Sequence, residues 1–94
     1  MQNNEILAAL AMDLKRVALG LHRHSFKTAD RFSQEALRWK NQTNVLLLKP
    51  YMQNIFGKLD DMLQNSDTTR KAEDALMYST LIQNYVVKEQ KEQV

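Results

Sequence analysis

His22 and His24 flank Arg23 in a His-x-His pattern, which is a spacing that can occur in metal sites. Positions i and i+2 of a helix point in different directions, and no third ligand lies nearby in the sequence. Basic side chains at a helix C-terminus instead interact favourably with the helix dipole, by about 0.3–1 kcal/mol. We therefore predict no metal site here and interpret the cluster as the end of a first helix.

Adjacent carboxylates occur at Asp60 with Asp61 and at Glu73 with Asp74, and adjacent residues lie on different faces of a helix. A di-metal helical bundle needs inward-facing Glu and Glu-x-x-His motifs from facing helices, and the sequence contains no Glu-x-x-His. The chain has no cysteine, which removes disulfide and thiolate chemistry. These patterns predict a protein that is not an enzyme and binds no cofactor.

Arg16 and His22 are separated by five residues, and this Arg-x5-His spacing resembles the motif of HEPN-family ribonucleases. In that family, which consists of small helical proteins, such an Arg and His cleave RNA at a dimer cleft. The family usually has a polar residue after the arginine and carries the motif on a late helix. Here Val17 follows the arginine, and the motif lies on the first predicted helix. The resemblance implies RNA cleavage by Arg16 and His22 as a remote alternative function.

The composition of the 94-residue chain favours an all-helical domain, because two glycines and one proline supply few turns. The first helix is predicted from about Asn4 to Arg23. Apolar residues follow its three-four spacing, and they form either the core stripe of a bundle or the seam of a dimeric coiled coil. These residues are Leu7, Leu10, Leu14, Val17 and Leu21.

A second helix is predicted to begin after Thr28 and to end near Leu47 or Leu48, with Trp39 as a core anchor. The polar segment 41–44 is a poor helix former, so the helix has an alternative end there. Pro50 disfavours helical geometry at the residue before it and suits the first position of a new helix.

Beyond that break, a third helix is predicted from Pro50 to Gln64 and a fourth from Thr69 to Lys88, with a loop over residues 65–69. Residues 89–94 are predicted to form a frayed tail of the single domain 1–94. Short connections between helices of similar length predict an antiparallel four-helix bundle. The alternative is three helices with the middle one kinked at Pro50.

Four consecutive aliphatic residues, 45–48, cover the whole circumference of a helical turn, so about half of them cannot face one core. Either the turn lies under a neighbouring helix and all four side chains are buried internally, or some of them form a surface for a partner or a dimer. For the function we predict that this apolar segment and a helix face bind a protein partner or a second copy of the chain. Tyr78 and Tyr85 lie two helical turns apart and are predicted to mark a contact surface or to border the core. The predicted partner-binding residues are Val45, Leu46, Leu47, Leu48, Tyr78 and Tyr85.

Basic residues are concentrated in the first half of the chain: residues 1–49 carry eight Lys or Arg against four acidic residues. Phe26, Phe32 and Trp39 are interleaved with them, a pattern that occurs in nucleic-acid-binding proteins. The basic residues form either a solvated face or a surface that binds nucleic acid or another polyanion, and nucleic-acid binding is the alternative function. The predicted polyanion-binding residues are Arg16, Arg23, Lys27, Arg31, Arg38 and Lys40.

No signal-peptide pattern is visible at the N-terminus, and no apolar stretch approaches the roughly 20 residues that span a bilayer. We therefore predict no membrane partner and a cytoplasmic location.

Overall fold

The computed structural model describes residues 2–92, which form four α-helices and one short 3-10 turn with no strand among them. The all-α prediction is confirmed, and Pro50 begins a separate helix instead of kinking a longer one. The described chain measures 41 × 20 × 20 Å. The elements are α1 (Asn3–His22), α2 (Phe26–Gln42), the 3-10 turn (Val45–Leu47), α3 (Pro50–Leu63) and α4 (Thr68–Glu92).

Helix α1 packs closely against both α2 and α4, because small side chains line the two contacts. A Cβ atom added to Gly20 would lie 3.1 Å from the Ala29 backbone nitrogen of α2. On the other side of α1, the Ser79 hydroxyl of α4 donates a hydrogen bond of 2.6 Å to the Ala11 carbonyl. The three helices therefore form a layer with α1 in the middle.

Helix α3 contacts α2 and α4 more sparsely and closes the bundle with large side chains. Met52, Phe56 and Leu59 are buried and belong to the same core cluster as the apolar residues of α1. The predicted apolar seam of α1 is buried in the same cluster within one copy of the chain. The seam is therefore the core stripe of the bundle and offers no coiled-coil surface.

The connection from α1 to α2 is tighter than predicted. His24 adopts a left-handed backbone conformation with φ of 57°. The Ser25 N–H donates to the Gly20 carbonyl at 2.8 Å, and the His24 N–H donates to the Leu21 carbonyl at 3.1 Å, which is the Schellman ending of a helix. Because this turn is complete at Ser25, α2 begins at Phe26, and the predicted start after Thr28 is wrong.

The predicted end of the second helix near Leu47 or Leu48 is also wrong, because α2 ends at Gln42 and the polar alternative applies. The Thr43 hydroxyl donates to the Trp39 carbonyl at 2.9 Å, so it occupies an acceptor at the end of the helix. Just beyond this end, the Asn3 side chain forms two hydrogen bonds with the backbone of Asn44. It accepts from the Asn44 N–H and donates to the Asn44 carbonyl, both at 2.9 Å.

Helix α4 begins at Thr68, where the Asp67 carboxylate accepts a hydrogen bond of 3.1 Å from the Arg70 N–H. It continues four residues past the predicted end at Lys88. Residues 89–92 of the predicted frayed tail are helical, and residues 93 and 94 lie outside the described part of the chain.

Candidate functional site

The segment Val45–Leu48, which we name the leucine corner, joins α2 to α3 at one end of the bundle. Leu48 is buried and Val45 packs against the core, whereas Leu46 is 88% exposed and Leu47 is 70% exposed. Half of the aliphatic residues therefore face the core, as predicted, although the segment is a 3-10 turn and not the end of an α-helix. Leu46 and Leu47 are the most exposed large apolar side chains in residues 2–92.

Hydrogen bonds on both sides hold the leucine corner in this conformation. The Leu48 N–H donates to the Val45 carbonyl at 3.0 Å, which closes the 3-10 turn. The Gln53 side chain donates to the Leu48 carbonyl at 2.8 Å, and the Lys49 N–H donates to the Tyr85 hydroxyl at 3.1 Å. The backbone that projects Leu46 and Leu47 is therefore fixed by α3 and α4.

Tyr85 and Leu48 were both predicted to bind a partner, but they are 4% and 5% exposed and offer no free surface. Tyr78 is half-buried against the core. Tyr51 was not among the predicted residues; it is half-exposed and contacts the Tyr85 ring edge to face, with ring centroids 5.8 Å apart. Two features of the sequence could have indicated that Tyr51 is exposed: it directly follows Pro50 at the start of α3, and it lies outside the apolar stripe of that helix.

A cleft of about 510 Å³ lies beside Leu47, between the start of α1 and the C-terminal half of α4. Ile6, Leu7 and Tyr85 contribute to its apolar wall. Its polar lining consists of the Glu89 carboxylate, which is paired with Lys49, and of five uncharged amides, those of Gln2, Asn3, Asn4, Gln42 and Asn44. The leucine corner thus combines an apolar projection and an adjoining recess, and the border of the recess carries little charge.

Lys49 connects the leucine corner to the end of α4. Its Nζ lies 3.0 Å from Glu89 Oε1 and 3.1 Å from Glu92 Oε2. The two carboxylates, Glu89 first, raise the pKa of the Lys49 ammonium above its ordinary value.

The six residues predicted to bind a polyanion do not form one surface. Three are paired with carboxylates of the same chain, and their nitrogen–oxygen distances are 2.8 Å, 3.1 Å and 2.8 Å. The pairs are Arg16 with Asp13, Arg38 with Glu35, and Lys40 with Asp60. Lys27 and Lys40 lie 13 positions apart on α2, which is about 20 Å along the axis.

The remaining three, Arg23, Lys27 and Arg31, are exposed and form no ion pair with another residue of the described part. Arg31 lies over the Phe32 ring at 5.7 Å from its centroid, and Arg16 lies over the same ring at 5.4 Å. Arg16 and Arg31 are therefore brought together at Phe32, whereas sequence spacing alone does not place them there.

These arginines border a groove between α1 and α2, which we name the α1–α2 groove. It consists of two adjoining clefts of about 360 and 320 Å³ that share Arg16 and Phe32. Met12 lines one cleft and Leu19 lines the other, and both are exposed. This groove is the second candidate site of the molecule.

Arg16 and His22 lie six positions apart on α1, so their side chains leave the helix roughly 120° apart. The Arg16 guanidinium donates a hydrogen bond to the Asp13 carboxylate and lies over the Phe32 ring. The clefts that Arg16 lines do not include His22. Over residues 2–92, no three His, Asp or Glu side chains are grouped as metal ligands, and no helix is both long enough and apolar enough to cross a bilayer.

No protein-family model matches the chain, and comparison with curated proteins and with solved structures gives no significant match.

Proposed function

We propose that this protein is a non-enzymatic interaction module that associates with a second copy of itself through the leucine corner. The observation that carries the proposal is the exposure of Leu46 and Leu47, at 88% and 70%. Burying a leucine side chain is worth about 1.5–3 kcal/mol over leaving it in water. A contact between two copies would bury two such residues from each.

The exposure of these leucines is a property of a fixed backbone. Leu48 and Val45 anchor the segment on either side, and the Lys49 N–H is bonded to Tyr85. Turning Leu46 or Leu47 inward would break the 3-10 turn and remove Leu48 from the core. Association with another molecule is therefore the available way to remove these side chains from water.

A second copy suits this surface because a symmetric dimer uses the same patch on both partners. Such a patch must carry both a projection and a recess. Leu46 supplies the projection, and the cleft of about 510 Å³ that Leu47 lines supplies the recess. Across a two-fold axis, Leu46 of each copy would enter the cleft of the other.

The charges near the leucine corner do not oppose such a contact. Lys49 offsets one of the two carboxylates of Glu89 and Glu92, so this group keeps a single negative charge, and the rest of the polar border of the cleft consists of Asn and Gln side chains. Two identical patches with a large net charge would repel each other, whereas amides can donate and accept across the contact. We therefore expect association that changes little with salt concentration.

The apolar area of two leucines is well below the roughly 800 Å² that each partner contributes to a standard interface. Tyr51 and the walls of the cleft add area, but the contact stays small. We therefore expect a dimer in the micromolar range of dissociation constants, about 1–100 μM, and not an obligate one.

Sedimentation equilibrium between about 5 μM and 1 mM, a range that brackets this affinity, tests the proposal. The unaltered chain is expected to pass from monomer to dimer, and the L46S/L47S double variant is expected to stay monomeric. L76S/M77S is the matched control, since it changes two exposed apolar residues of α4 at a distance from the leucine corner. It is expected to dimerise normally.

All the altered side chains are exposed, so circular dichroism should show the same helix content in each variant. A wild-type chain that stays monomeric at the highest concentration would overturn the proposal. Equal loss of the dimer in L76S/M77S would also overturn it, since association would then not depend on the leucine corner.

A further inference from the structure

We infer that the α1–α2 groove is a second interaction site, separate from the leucine corner, and that its ligand is an acidic amphipathic helix of a partner protein. The inference does not depend on self-association. It follows from the way in which apolar and cationic side chains alternate along the groove.

The apolar part of the groove comes from both helices. Met12 and Leu19 are 49% and 40% exposed and lie seven positions apart, so they occupy the same face of α1. Phe32 and Trp39, also seven positions apart, line the α2 side of the groove, where Arg16 and Arg31 lie over the Phe32 ring. Both pairs run along the groove with the period that the apolar side of a helical ligand also has.

The cationic part alternates with the apolar part. Arg16 and Arg23 are also seven positions apart on α1, and Arg31 of α2 lines the same cleft as Arg16. The Arg16 guanidinium is held by Asp13 at 2.8 Å and by the Phe32 ring, so its position is set before any ligand arrives. Arg16 and Arg31, which both lie over the Phe32 ring, would therefore need little further ordering to meet an acidic ligand.

The carboxylates in the groove already have donors. Asp13 accepts from Trp39 at 2.9 Å and from Arg16, and Glu35 accepts from Arg38. Arg23 and Arg31 form no ion pair with another residue in 2–92. The unsatisfied charge of the groove is therefore positive, which selects a ligand with carboxylates on either side of its apolar stripe.

The groove fits a helix in length. From Met12 to Arg23, α1 advances by about 16 Å, which corresponds to three turns of a ligand helix. Anchors at positions i, i+3 or i+4 and i+7 of such a helix would cover the Met12–Leu19 interval.

Nucleic acid fits this groove less well. Arg16 and Arg31 lie over the Phe32 ring, so this aromatic face is not free to stack on a base. Phosphates that reached the arginines would also leave Met12 and Leu19 in water. The apolar side chains therefore favour a peptide over a polyanion.

The test uses a fluorescent helical peptide of about 18 residues, with leucines at i, i+3, i+4 and i+7 repeats and glutamates between them. Its binding is measured by anisotropy at low and high salt. The comparison probes are a peptide of the same composition with its leucines scattered around the helix, and a labelled single-stranded oligouridine. Only the amphipathic peptide is expected to bind, with weaker affinity at high salt.

Two pairs of variants locate the site. R23E/R31E is expected to weaken binding at least tenfold, whereas K58E/K88E, which makes the same change of charge on α3 and α4, is expected to leave it within about threefold. L19S is expected to weaken binding at least about fivefold, whereas L81S is expected to have no effect. Leu19 and Leu81 are equally exposed, at 40%.

The inference is overturned if the amphipathic peptide does not bind up to about 1 mM, a limit that already corresponds to very weak binding. It is overturned as well if the scattered peptide binds equally or if L19S has no effect. Oligouridine binding that depends on Arg23 and Arg31 alone would identify a polyanion surface instead. Repeating the titration in L46S/L47S separates this site from the leucine corner, because peptide binding should persist there.

Discussion

The indole Nε1 of Trp39 donates a hydrogen bond of 2.9 Å to Asp13 Oδ2, so the middle of α1 is joined to the C-terminal part of α2. Asp13 is buried, and its other oxygen accepts from Arg16 at 2.8 Å. The single tryptophan therefore contributes packing and also satisfies a carboxylate that has little access to water.

Replacing Trp39 with Phe is expected to lower the free energy of unfolding by about 1–3 kcal/mol, because Asp13 loses a donor while it stays buried. R16M is the control, since Asp13 then keeps the indole as a donor and loses only the ion pair with the half-exposed Arg16, so a smaller loss is expected. Urea denaturation followed by circular dichroism measures both. If W39F is as stable as the wild type, the hydrogen bond contributes nothing to the fold.

The two glycines are expected to respond to alanine in opposite directions. Gly57 is exposed on α3 with no atom within 4 Å of an added Cβ, so G57A should stabilise the helix by about 0.5–1 kcal/mol. At Gly20 the added Cβ would meet the backbone of Ala29 at 3.1–3.2 Å. G20A is therefore expected to cost about 1–3 kcal/mol, because α1 and α2 must separate.

Thermal melting of the two variants beside the wild type checks this prediction. A higher melting temperature of G20A would mean that α2 moves away from α1 at little cost. A lower melting temperature of G57A would mean that the surface of α3 around Gly57 makes a contact. Either result would contradict the arrangement of the helices described here.

The sequence predicted the fold because its main determinants act within a few residues. The spacing of Leu7, Leu10, Leu14 and Val17 placed the α1 core stripe correctly, and all four are fully buried. Pro50 has no N–H and a fixed φ, so it favours the first position of a helix, and α3 begins at this residue.

The first predicted end of α2, near Leu47 or Leu48, was wrong, whereas the alternative end in the polar segment 41–44 was confirmed. A tertiary contact decides between the two ends. Apolar spacing continues past Gln42, but the Asn3 side chain, 41 positions away, binds the backbone of Asn44. Tyr85 was misplaced for a similar reason, since its hydroxyl reaches the Lys49 N–H across the bundle. Neither partner can be found from local spacing.

The leucine corner was predictable because four consecutive aliphatic residues exceed what one helical face can bury. The α1–α2 groove was not, since it depends on which cations are already paired. Asp60 reaches Lys40 from 20 positions along the chain, and Arg16 and Arg31 meet at Phe32 across two helices. The prediction treated the six cations as one surface because they are close along the chain. In the structure, three of them are paired with carboxylates and three are not.

His24 provides a test of the helix ending, because it is the position with φ of 57°. The left-handed conformation costs a residue other than glycine about 1–2 kcal/mol. H24G is expected to raise stability by about 0.5–1 kcal/mol after the greater freedom of glycine in the unfolded chain is counted. H24A is the control and should not stabilise, and the measurement is chemical denaturation. A loss in H24G would indicate that the edge contact of His24 with Phe26, at 6.0 Å between centroids, outweighs the backbone strain.

Lys49 provides a test of electrostatics through pH. Glu89 and Glu92 raise its pKa in the folded chain, so folding favours the protonated ammonium. For a raised pKa, the stabilisation is complete below the unfolded value of about 10.4 and is lost as the pH rises toward the higher folded value. The difference in melting temperature between the wild type and K49Q should therefore be constant from about pH 6 to 9 and should shrink above about pH 10.4.

K58Q is the control for the Lys49 experiment, because Lys58 is exposed on α3 and forms no ion pair among the described residues. The difference in melting temperature between K58Q and the wild type should be near zero across the same range of pH. Because the Lys49 pairs are open to solvent, about 1 M salt should also reduce the K49Q difference at neutral pH. A K49Q difference that falls between pH 6 and 9, or that 1 M salt leaves unchanged, would show that Lys49 acts through packing of its aliphatic stem. The pairing with Glu89 and Glu92 would then have no part in stabilising the end of α4.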